Sequence, residues 1–204
     1  MKLGVGHYFN RGLGGGGGGG SATARFGGTA STAGRLYGAL SGLAGGATSR
    51  GEAAIDPSVL ESRDVSDVVR AVVDAVRPVD GTQDAEASRE AIGEALAELL
   101  KQDPDADLQQ LTDDQRLVVV QEFIARDIFH RLVLDVGGAI KARAANARVY
   151  LKRLDQIRSY LRQGIAAAFR RLAAASHSVT RSRVAALTRK AIADAISVFE
   201  EYIA

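Results

Sequence analysis

The side chains best suited to acid–base or metal chemistry are three histidines, and their spacing supports neither. His7 lies among the N-terminal glycines, His130 in an apolar segment and His177 in a serine-rich turn. A zinc site built on one helix needs a pair such as His-x-x-x-His, and a serine hydrolase elbow needs Gly-x-Ser-x-Gly. The chain contains neither pattern, and it has no cysteine for thiol catalysis or thiolate ligation. We therefore expect no catalytic residue, no metal site and no cofactor, which means that the chain is not an enzyme.

The glycine run from Gly14 to Gly20 also lacks the features of a nucleotide-binding loop. It has no Gly-Lys-Ser/Thr ending and no buried strand before it. Polyglycine loses the most backbone entropy on folding and has no side chain to bury. Residues 1–22 are thus predicted to be a disordered tail. The tail is either a simple linker or a peptide that enters a narrow cleft of another protein.

The rest of the chain, residues 23–204, is predicted to be one helical domain. Apolar residues recur at helical spacing, and no alternating strand pattern is present. A glycine-rich helix spans about 23–47, with Phe26, Ala30, Ala33, Tyr37, Leu40 and Ala44 on one stripe. Two helices follow, from Asp64 to Pro78 and from Asp84 to Lys101. The first should bury Val65, Val68, Val69, Val72, Val73 and Val76.

The second half of this domain should contain the core helix and the longest helices. Thr112-Asp-Asp-Gln115 fits a capping box that begins the most apolar helix. Gly137-Gly138 should end or bend it. A long basic helix should then run from about 140 to 175, with Leu151 on its apolar side, and a last helix should reach about Ile203. The sequence therefore predicts an all-α bundle of five to six helices with a disordered Gly-rich N-terminal tail.

Charge is distributed unevenly along the chain. Residues 52–115 contain seventeen acidic and five basic residues, whereas residues 116–204 contain sixteen basic and seven acidic ones. The acidic first half and basic second half of the domain could pair within the fold, or the basic half could face a partner. Basic helices bind phosphate backbones without reading sequence, so nucleic-acid binding is an alternative function. Few aromatic residues are available there for base stacking.

The N-terminus contains no apolar signal region, and no apolar stretch approaches the ~18 residues of a membrane span. These features predict a cytoplasmic protein that does not contact a membrane.

Three segments between residues 35 and 138, together with the glycine-rich start, resemble a known family. They are Arg35-Leu-Tyr-Gly-Ala-Leu40, Val76-Arg-Pro-Val-Asp-Gly-Thr-Gln-Asp-Ala-Glu-Ala-Ser-Arg-Glu-Ala-Ile92, and Leu108-Gln-Gln-Leu-Thr-Asp-Asp-Gln115 leading to Phe123-Ile-Ala-Arg126. About half of the chain in this way resembles the QatB family, the small component of the four-part Qat anti-phage defence system of bacteria. The other components of such systems are an ATPase, a QueC-like enzyme and a TatD-like nuclease.

The resemblance implies association with other proteins rather than catalysis. It suggests that the helical body binds the QueC-like enzyme and presents the Gly-rich tail for cleavage or for conjugation to a deazapurine. The ATPase and the nuclease are further candidate partners. The candidate acceptor residues are Gly4, Gly6, Gly12, Gly14, Gly15 and Gly16. The candidate docking residues are Arg11, Phe26, Arg35 and Tyr37.

Overall fold

Six α-helices make up the part of the chain that can be described. The structure is a computed structural model, and it describes residues 26–45, 55, 64–173 and 180–203. The helices are α1 (Gly27–Leu43), α2 (Val65–Val76), α3 (Gln83–Gln102), α4 (Asp113–Ala142), α5 (Ala147–Ala173) and α6 (Arg181–Ile203). These residues contain no strand. The predicted all-α bundle is confirmed.

Helix α1 is covered by protein along most of its circumference. It packs against α6, α4 and α2, and ten of its seventeen residues are buried. Small residues dominate its sequence, so neighbouring helices can approach its backbone closely. Glycine lowers intrinsic helix stability by about 1 kcal/mol per residue relative to alanine. Packing against neighbours must therefore provide most of the stability of α1.

Helices α2 and α3 begin at side-chain caps. The carboxylate of Asp64 accepts a hydrogen bond from the amide of Ser66 at 2.8 Å, and the hydroxyl of Thr82 accepts one from Ala85 at 3.1 Å. Before α3 the chain turns at Gly81, whose φ of 75° lies in the left-handed region that favours glycine. The buried stripe of α2 consists of Val68, Val72, Val73 and Val76.

Two residues predicted to be buried are exposed instead. Val65, the first residue of α2, is 49% exposed, and Leu151 of α5 is 61% exposed. In the described part of α5, the fully buried apolar residues all lie from Leu161 onward. Periodicity identifies which face of a helix is apolar. It does not show how far along the helix that face is covered by a neighbour.

Helix α4 is the core helix that the sequence predicted. Its capping box forms as expected: the amide of Gln115 donates to the Thr112 hydroxyl at 3.2 Å, and the amide of Thr112 donates to the Gln115 side chain at 2.9 Å. The buried residues include Val119, Val120, Phe123, Ile124, Ile128 and Leu132.

The prediction that α4 ends or bends at Gly137-Gly138 was wrong about the end, because the helix continues to Ala142. Gly137 is buried, and a Cβ there would lie 3.1 Å from Val133 Cγ1 and 3.7 Å from the Tyr150 hydroxyl. An added Cβ would thus be crowded by Val133 of α4 itself, whereas Tyr150 of α5 lies at an ordinary contact distance. The chain turns instead at residues 143–146. The side chain of Asn146 then caps α5 by accepting a hydrogen bond from the amide of Val149 at 3.0 Å.

Candidate functional site at the start of helix α1

The residues predicted to be presented or modified lie outside the described part of the chain. They are Gly4, Gly6, Gly12, Gly14, Gly15 and Gly16, and the docking candidate Arg11 lies outside it as well. The other three docking candidates, Phe26, Arg35 and Tyr37, all belong to α1 or to its N-cap. The described structure therefore shows the point at which the N-terminal segment joins the helical body.

Phe26 is the N-cap residue of α1, and its side chain is only 1% exposed. The ring is among the largest fully buried side chains and belongs to the main core cluster. The backbone carbonyl of Phe26 also accepts the amide of Ala30 at 3.4 Å. The chain thus enters the body through an aromatic residue held in the core. The next two residues, Gly27 and Gly28, are exposed.

A buried polar network lies directly beside this entry point. Asp127 of α4 is 0% exposed, and its carboxylate accepts hydrogen bonds from the hydroxyls of Thr29 and Ser88. The guanidinium of Arg131, one turn further along α4, donates to the same carboxylate at 3.1 Å. The network therefore joins α1, α3 and α4 through a single buried carboxylate.

The other two nitrogens of the Arg131 guanidinium also have hydrogen-bond partners. Its Nη1 donates to Asp84 at 3.0 Å, and its Nη2 donates to the Ser88 hydroxyl at 3.0 Å. Gly28 lies over this guanidinium, since a Cβ there would be 3.6 Å from Nη2. Three donors thus occupy the buried carboxylate, which leaves no free oxygen directed at a ligand. We interpret the network as the anchor of α1 rather than as an acid–base site.

Sequence reasoning did not find this network. The available signal was Asp127 and Arg131, an acid and a base separated by one turn in the most apolar helix. Charged residues are rarely fully buried without a partner, so such a pair indicates a buried ion pair. The partners Thr29 and Ser88 come from helices distant in sequence, and only the tertiary structure identifies them.

Tyr37 lies further along α1 and is also buried. Its hydroxyl donates to Asp113 at 2.8 Å, and Arg116 forms an ion pair with the same carboxylate at 2.7 Å. The guanidinium of Arg116 lies 5.7 Å from the centre of the Tyr37 ring. Burial, followed by this hydrogen bond, raises the pKa of Tyr37 above its ordinary value. Tyr37 thus joins α1 to the start of α4, and its predicted docking role stays a prediction.

Arg35 is the one docking candidate in the described chain that is not fully buried. It is half-buried on α1, and Ser31, one turn earlier, is exposed. Arg35 has no acidic partner among the described residues, and its nearest charges are those of Arg77 and Arg181. Its role in docking also stays a prediction.

His130 is the one described histidine, and it lies in a group that could geometrically hold a metal ion. Glu90, Glu94 and His130 offer ligand atoms within 4.8 Å of one another. However, Glu94 Oε2 is also 2.8 Å from Nη1 of Arg126, and Glu90 is exposed. Metal ligands converge on one point at about 2 Å, whereas Glu94 of α3 already forms an ion pair with Arg126 of α4. The geometry favours an interhelical ion-pair network.

No helix in the described ranges combines the length and apolar character that a membrane span requires. Comparison with curated proteins gave no match, and comparison with solved structures gave none. One family model matches residues 17–199, and it describes a Qat anti-phage system associated protein, QatB. The match covers the helical body, the joining residue Phe26 and the last four glycines of the run. This chain therefore belongs to the QatB family, and its role lies in the Qat anti-phage defence system.

Proposed function

We propose that this chain is a non-catalytic component of the Qat system that binds the QueC-like enzyme and presents its Gly-rich N-terminal segment to it. The segment would be cleaved there or conjugated to a deazapurine at one of its glycines. The observation that carries this proposal is the anchoring of Phe26, which is 1% exposed beside the buried Asp127 network. A substrate segment held this firmly at its base can be delivered at a constant position.

The length and composition of the segment suit this role. Twenty-five residues precede Phe26, and ten of them are glycine. A fully extended chain spans about 3.3 Å per residue, which gives a reach of roughly 80 Å. Glycines have no Cβ, so a backbone made of them can pass through a narrow channel and approach a buried reactive centre.

Docking would involve Arg11 of the N-terminal segment and Arg35 of the helical body, because both side chains can form ion pairs with an acidic surface on the enzyme. Phe26 and Tyr37 would contribute by holding α1 in the bundle, because both rings are buried in the described structure. The ATPase and the TatD-like nuclease of the same system are further partners in this proposal. Any nucleotide or metal required for the cleavage or conjugation would be bound by the partner proteins, not by this chain.

The decisive experiment is the intact mass of the chain, expressed alone and then together with the QueC-like enzyme. We expect a mass change that depends on the enzyme and maps to residues 1–20. Replacing Gly4 and Gly6 by alanine, or Gly14, Gly15 and Gly16 by alanine, should locate the acceptor. The matched control is Gly93→Ala in α3, where an added Cβ meets nothing within 4 Å.

Each outcome of this experiment has a distinct meaning. An unchanged mass in a stable complex would disprove the substrate role and leave docking alone. The absence of any complex would disprove the QueC-like enzyme as the partner. A mass change that maps beyond residue 26 would show that the described body, rather than the N-terminal segment, is modified.

Nucleic-acid binding is the second candidate, because the structure exposes basic side chains along α5. The exposed residues are Arg148, Lys152, Arg158, Arg162, Arg170 and Arg171. Some of them contact other residues, since Arg162 pairs with Glu122 and Arg158 stacks over Phe129 at 4.6 Å. Duplex DNA binding by the chain alone, falling steeply with salt and weakened by Arg148→Gln with Lys152→Gln, would favour this function. Salt-independent or undetectable binding would exclude it.

A further inference from the structure

Three arginines from three separate parts of the fold lie together on one side of α1. Arg35 belongs to α1, Arg77 is the C-cap of α2 and Arg181 is the first residue of α6. Arg77 and Arg181 are both close enough to Arg35 to repel its charge. These three residues are called the arginine cluster below. Like charges repel, so a fold that gathers them without an anion loses stability.

Close packing holds α6 in this position. A Cβ on Gly34 would lie 3.1 Å from the backbone oxygen of Arg181 and 3.5 Å from its Cγ. Gly34 directly precedes Arg35 in the chain, so the first turn of α6 is fixed next to Arg35. A Cβ at this position would require the neighbouring atoms of α6 to shift by a few tenths of an ångström. The proximity of Arg35 and Arg181 therefore follows from backbone packing as well as from side-chain placement.

The cluster contains hydrogen-bond donors that lack acceptors. The Nε atoms of Arg35 and Arg77 are both buried, and neither has a partner within the described ranges. Arg77 forms an ion pair with Asp80 at 2.9 Å, which offsets one of the three charges. Burial lowers the pKa of Arg35, and repulsion from Arg77 and Arg181 lowers it further. A buried donor without an acceptor is costly, and a bound anion would remove that cost.

We infer that the arginine cluster binds the phosphoryl group of a small molecule, either inorganic phosphate or a phosphate monoester such as the terminal phosphate of a nucleotide. After Asp80 is counted, two positive charges remain, which match a dianionic phosphoryl group better than a single carboxylate. Guanidinium groups donate in a planar fork that fits phosphate oxygens. The inference is independent of the proposed tail presentation.

Neighbouring groups suit the same ligand. Ser31 lies one turn before Arg35 on the exposed side of α1 and can offer a hydroxyl. The N-terminus of α6, which begins at Arg181, adds the positive end of a helix dipole. These two features support the arginine cluster but would not define a site without it.

The test is thermal unfolding of the full chain in low-millimolar inorganic phosphate against chloride at equal ionic strength. We expect phosphate at ten times its Kd to raise the Tm by about 3–5 °C. Arg35→Gln and Arg181→Gln should each weaken phosphate binding by about tenfold or more. The control is Lys101→Gln, an exposed basic residue in the last turn of α3, which should respond to phosphate like the unmodified chain.

The Tm of the variants in chloride alone distinguishes a binding role of the cluster from a purely structural one. In chloride alone, Arg35→Gln should keep or raise the Tm, because it removes a repelled charge. A loss of stability in chloride with an unchanged response to phosphate would overturn the inference. Titration with adenosine monophosphate then distinguishes the sources: tighter binding than inorganic phosphate indicates a nucleotide, and equal binding indicates the free anion.

Two further results would also contradict the proposal. An equal phosphate response in all four proteins would reveal a general salt effect. The second result concerns the acidic residues of the segment between α1 and α2, which are Glu52, Asp56 and Glu61. If the unmodified chain ignores phosphate but the variant with all three replaced by their amides binds it, carboxylates of this segment fill the cluster and no external phosphate does.

Discussion

Individual residues in this protein mainly determine how α1 is held. Asp127 and Arg131 lie one turn apart on α4, and both are buried and hydrogen-bonded to each other and to polar side chains of neighbouring helices. A buried ion pair of this kind contributes little net stability, because desolvation offsets the attraction between the charges. Breaking it is costly, since one charge is left buried without compensation. Its value here lies in specifying one arrangement of α1, α3 and α4.

Replacing Asp127 by asparagine should therefore destabilise the protein strongly. The substitution keeps the shape of the side chain but removes the negative charge beside Arg131. It also replaces one of the two acceptor oxygens by an NH2 donor, so the hydrogen bonds from Thr29, Ser88 and Arg131 cannot all be kept. We expect a loss of about 3 kcal/mol in the free energy of unfolding, measured by urea denaturation. Asp105→Asn, in the exposed connection between α3 and α4, is the matched control and should change it by less than about 0.5 kcal/mol. A comparable small effect of Asp127→Asn would show that the network does not hold the bundle.

A second prediction at this scale concerns Asp113. The hydrogen bond from Tyr37, together with Arg116, holds the pKa of Asp113 below its ordinary value. Tyr37→Phe should raise that pKa, as followed by carbon NMR of the carboxyl group. Asp80, whose lowered pKa depends chiefly on Thr82, should titrate as before. If Asp113 titrates identically in both proteins, the hydrogen bond is not formed in solution.

The direction of the associated stability change follows from linkage. A carboxylate whose folded pKa lies below its unfolded value stabilises the folded state above the unfolded pKa, about 3.9. That contribution is lost as the pH falls through the lowered folded pKa. Tyr37→Phe should thus reduce stability near neutral pH, and the difference between the two proteins should shrink in acid. Because the Asp113 side chain is largely exposed, solvent screening keeps the effect small.

At the scale of elements, glycine has different uses in different helices. Gly34 allows α6 to approach α1 closely, whereas a Cβ at Gly137 would be crowded mainly by Val133, one turn earlier on α4 itself. Gly93, in the middle of α3, has open space around its Cα. The sequence alone does not separate these cases, because all three glycines occur inside helical patterns. Their contacts across the bundle do.

Alanine substitution should reveal this difference directly. At Gly34, a new Cβ would lie 3.1 Å from Arg181 O and 3.2 Å from Ala185 Cβ. We expect Gly34→Ala to lower the free energy of unfolding by about 1–3 kcal/mol, despite the helix propensity of alanine. Gly93→Ala should instead raise it by about 0.5–1 kcal/mol. The two variants are compared by urea denaturation under identical conditions. If both stabilise equally, α1 and α6 are not in close contact.

At the scale of the whole molecule, the acidic and basic halves pair in part. Arg126 of α4 meets Glu94 and Glu98 of α3, at 2.8 and 3.5 Å, and Arg162 of α5 meets Glu98 at 3.4 Å. Acidic residues of the first half thus contact basic residues of the second across three helices. The interpretation that the two halves pair within the fold is therefore confirmed in part. Much of the basic surface of α5 stays exposed, and a partner for that surface stays a prediction.

The arrangement of the molecule also separates the two regions to which we assign functions by proposal. The N-terminal segment joins the body at Phe26, at the beginning of α1, whereas the arginine cluster includes Arg35, more than two turns further along the same helix. The mass experiment tests the first region and the phosphate experiment tests the second. Because Arg35 is also a proposed docking residue, a phosphoryl ligand there would compete with an acidic surface of the partner. Failure of either experiment leaves the other result interpretable.

Much of the fold was determined by the sequence itself. Apolar periodicity located the helices of the bundle, and the Thr112–Gln115 capping box marked the start of α4 correctly. These features depend on neighbours within one or two turns, so they can be read from a short window of sequence. Family membership was also recognisable from the sequence of segments in α1, α3 and α4.

Tertiary structure alone decided which residues meet. The burial of Phe26 and Tyr37, the Asp127 network and the arginine cluster all join helices that are far apart in sequence. Packing also decided that α4 continues through Gly137 to Ala142. It likewise decided that Val65 and Leu151 are exposed although they lie on the apolar faces of their helices. Local spacing determines the face of a helix. The position and length of the neighbours that cover that face depend on how the whole chain packs.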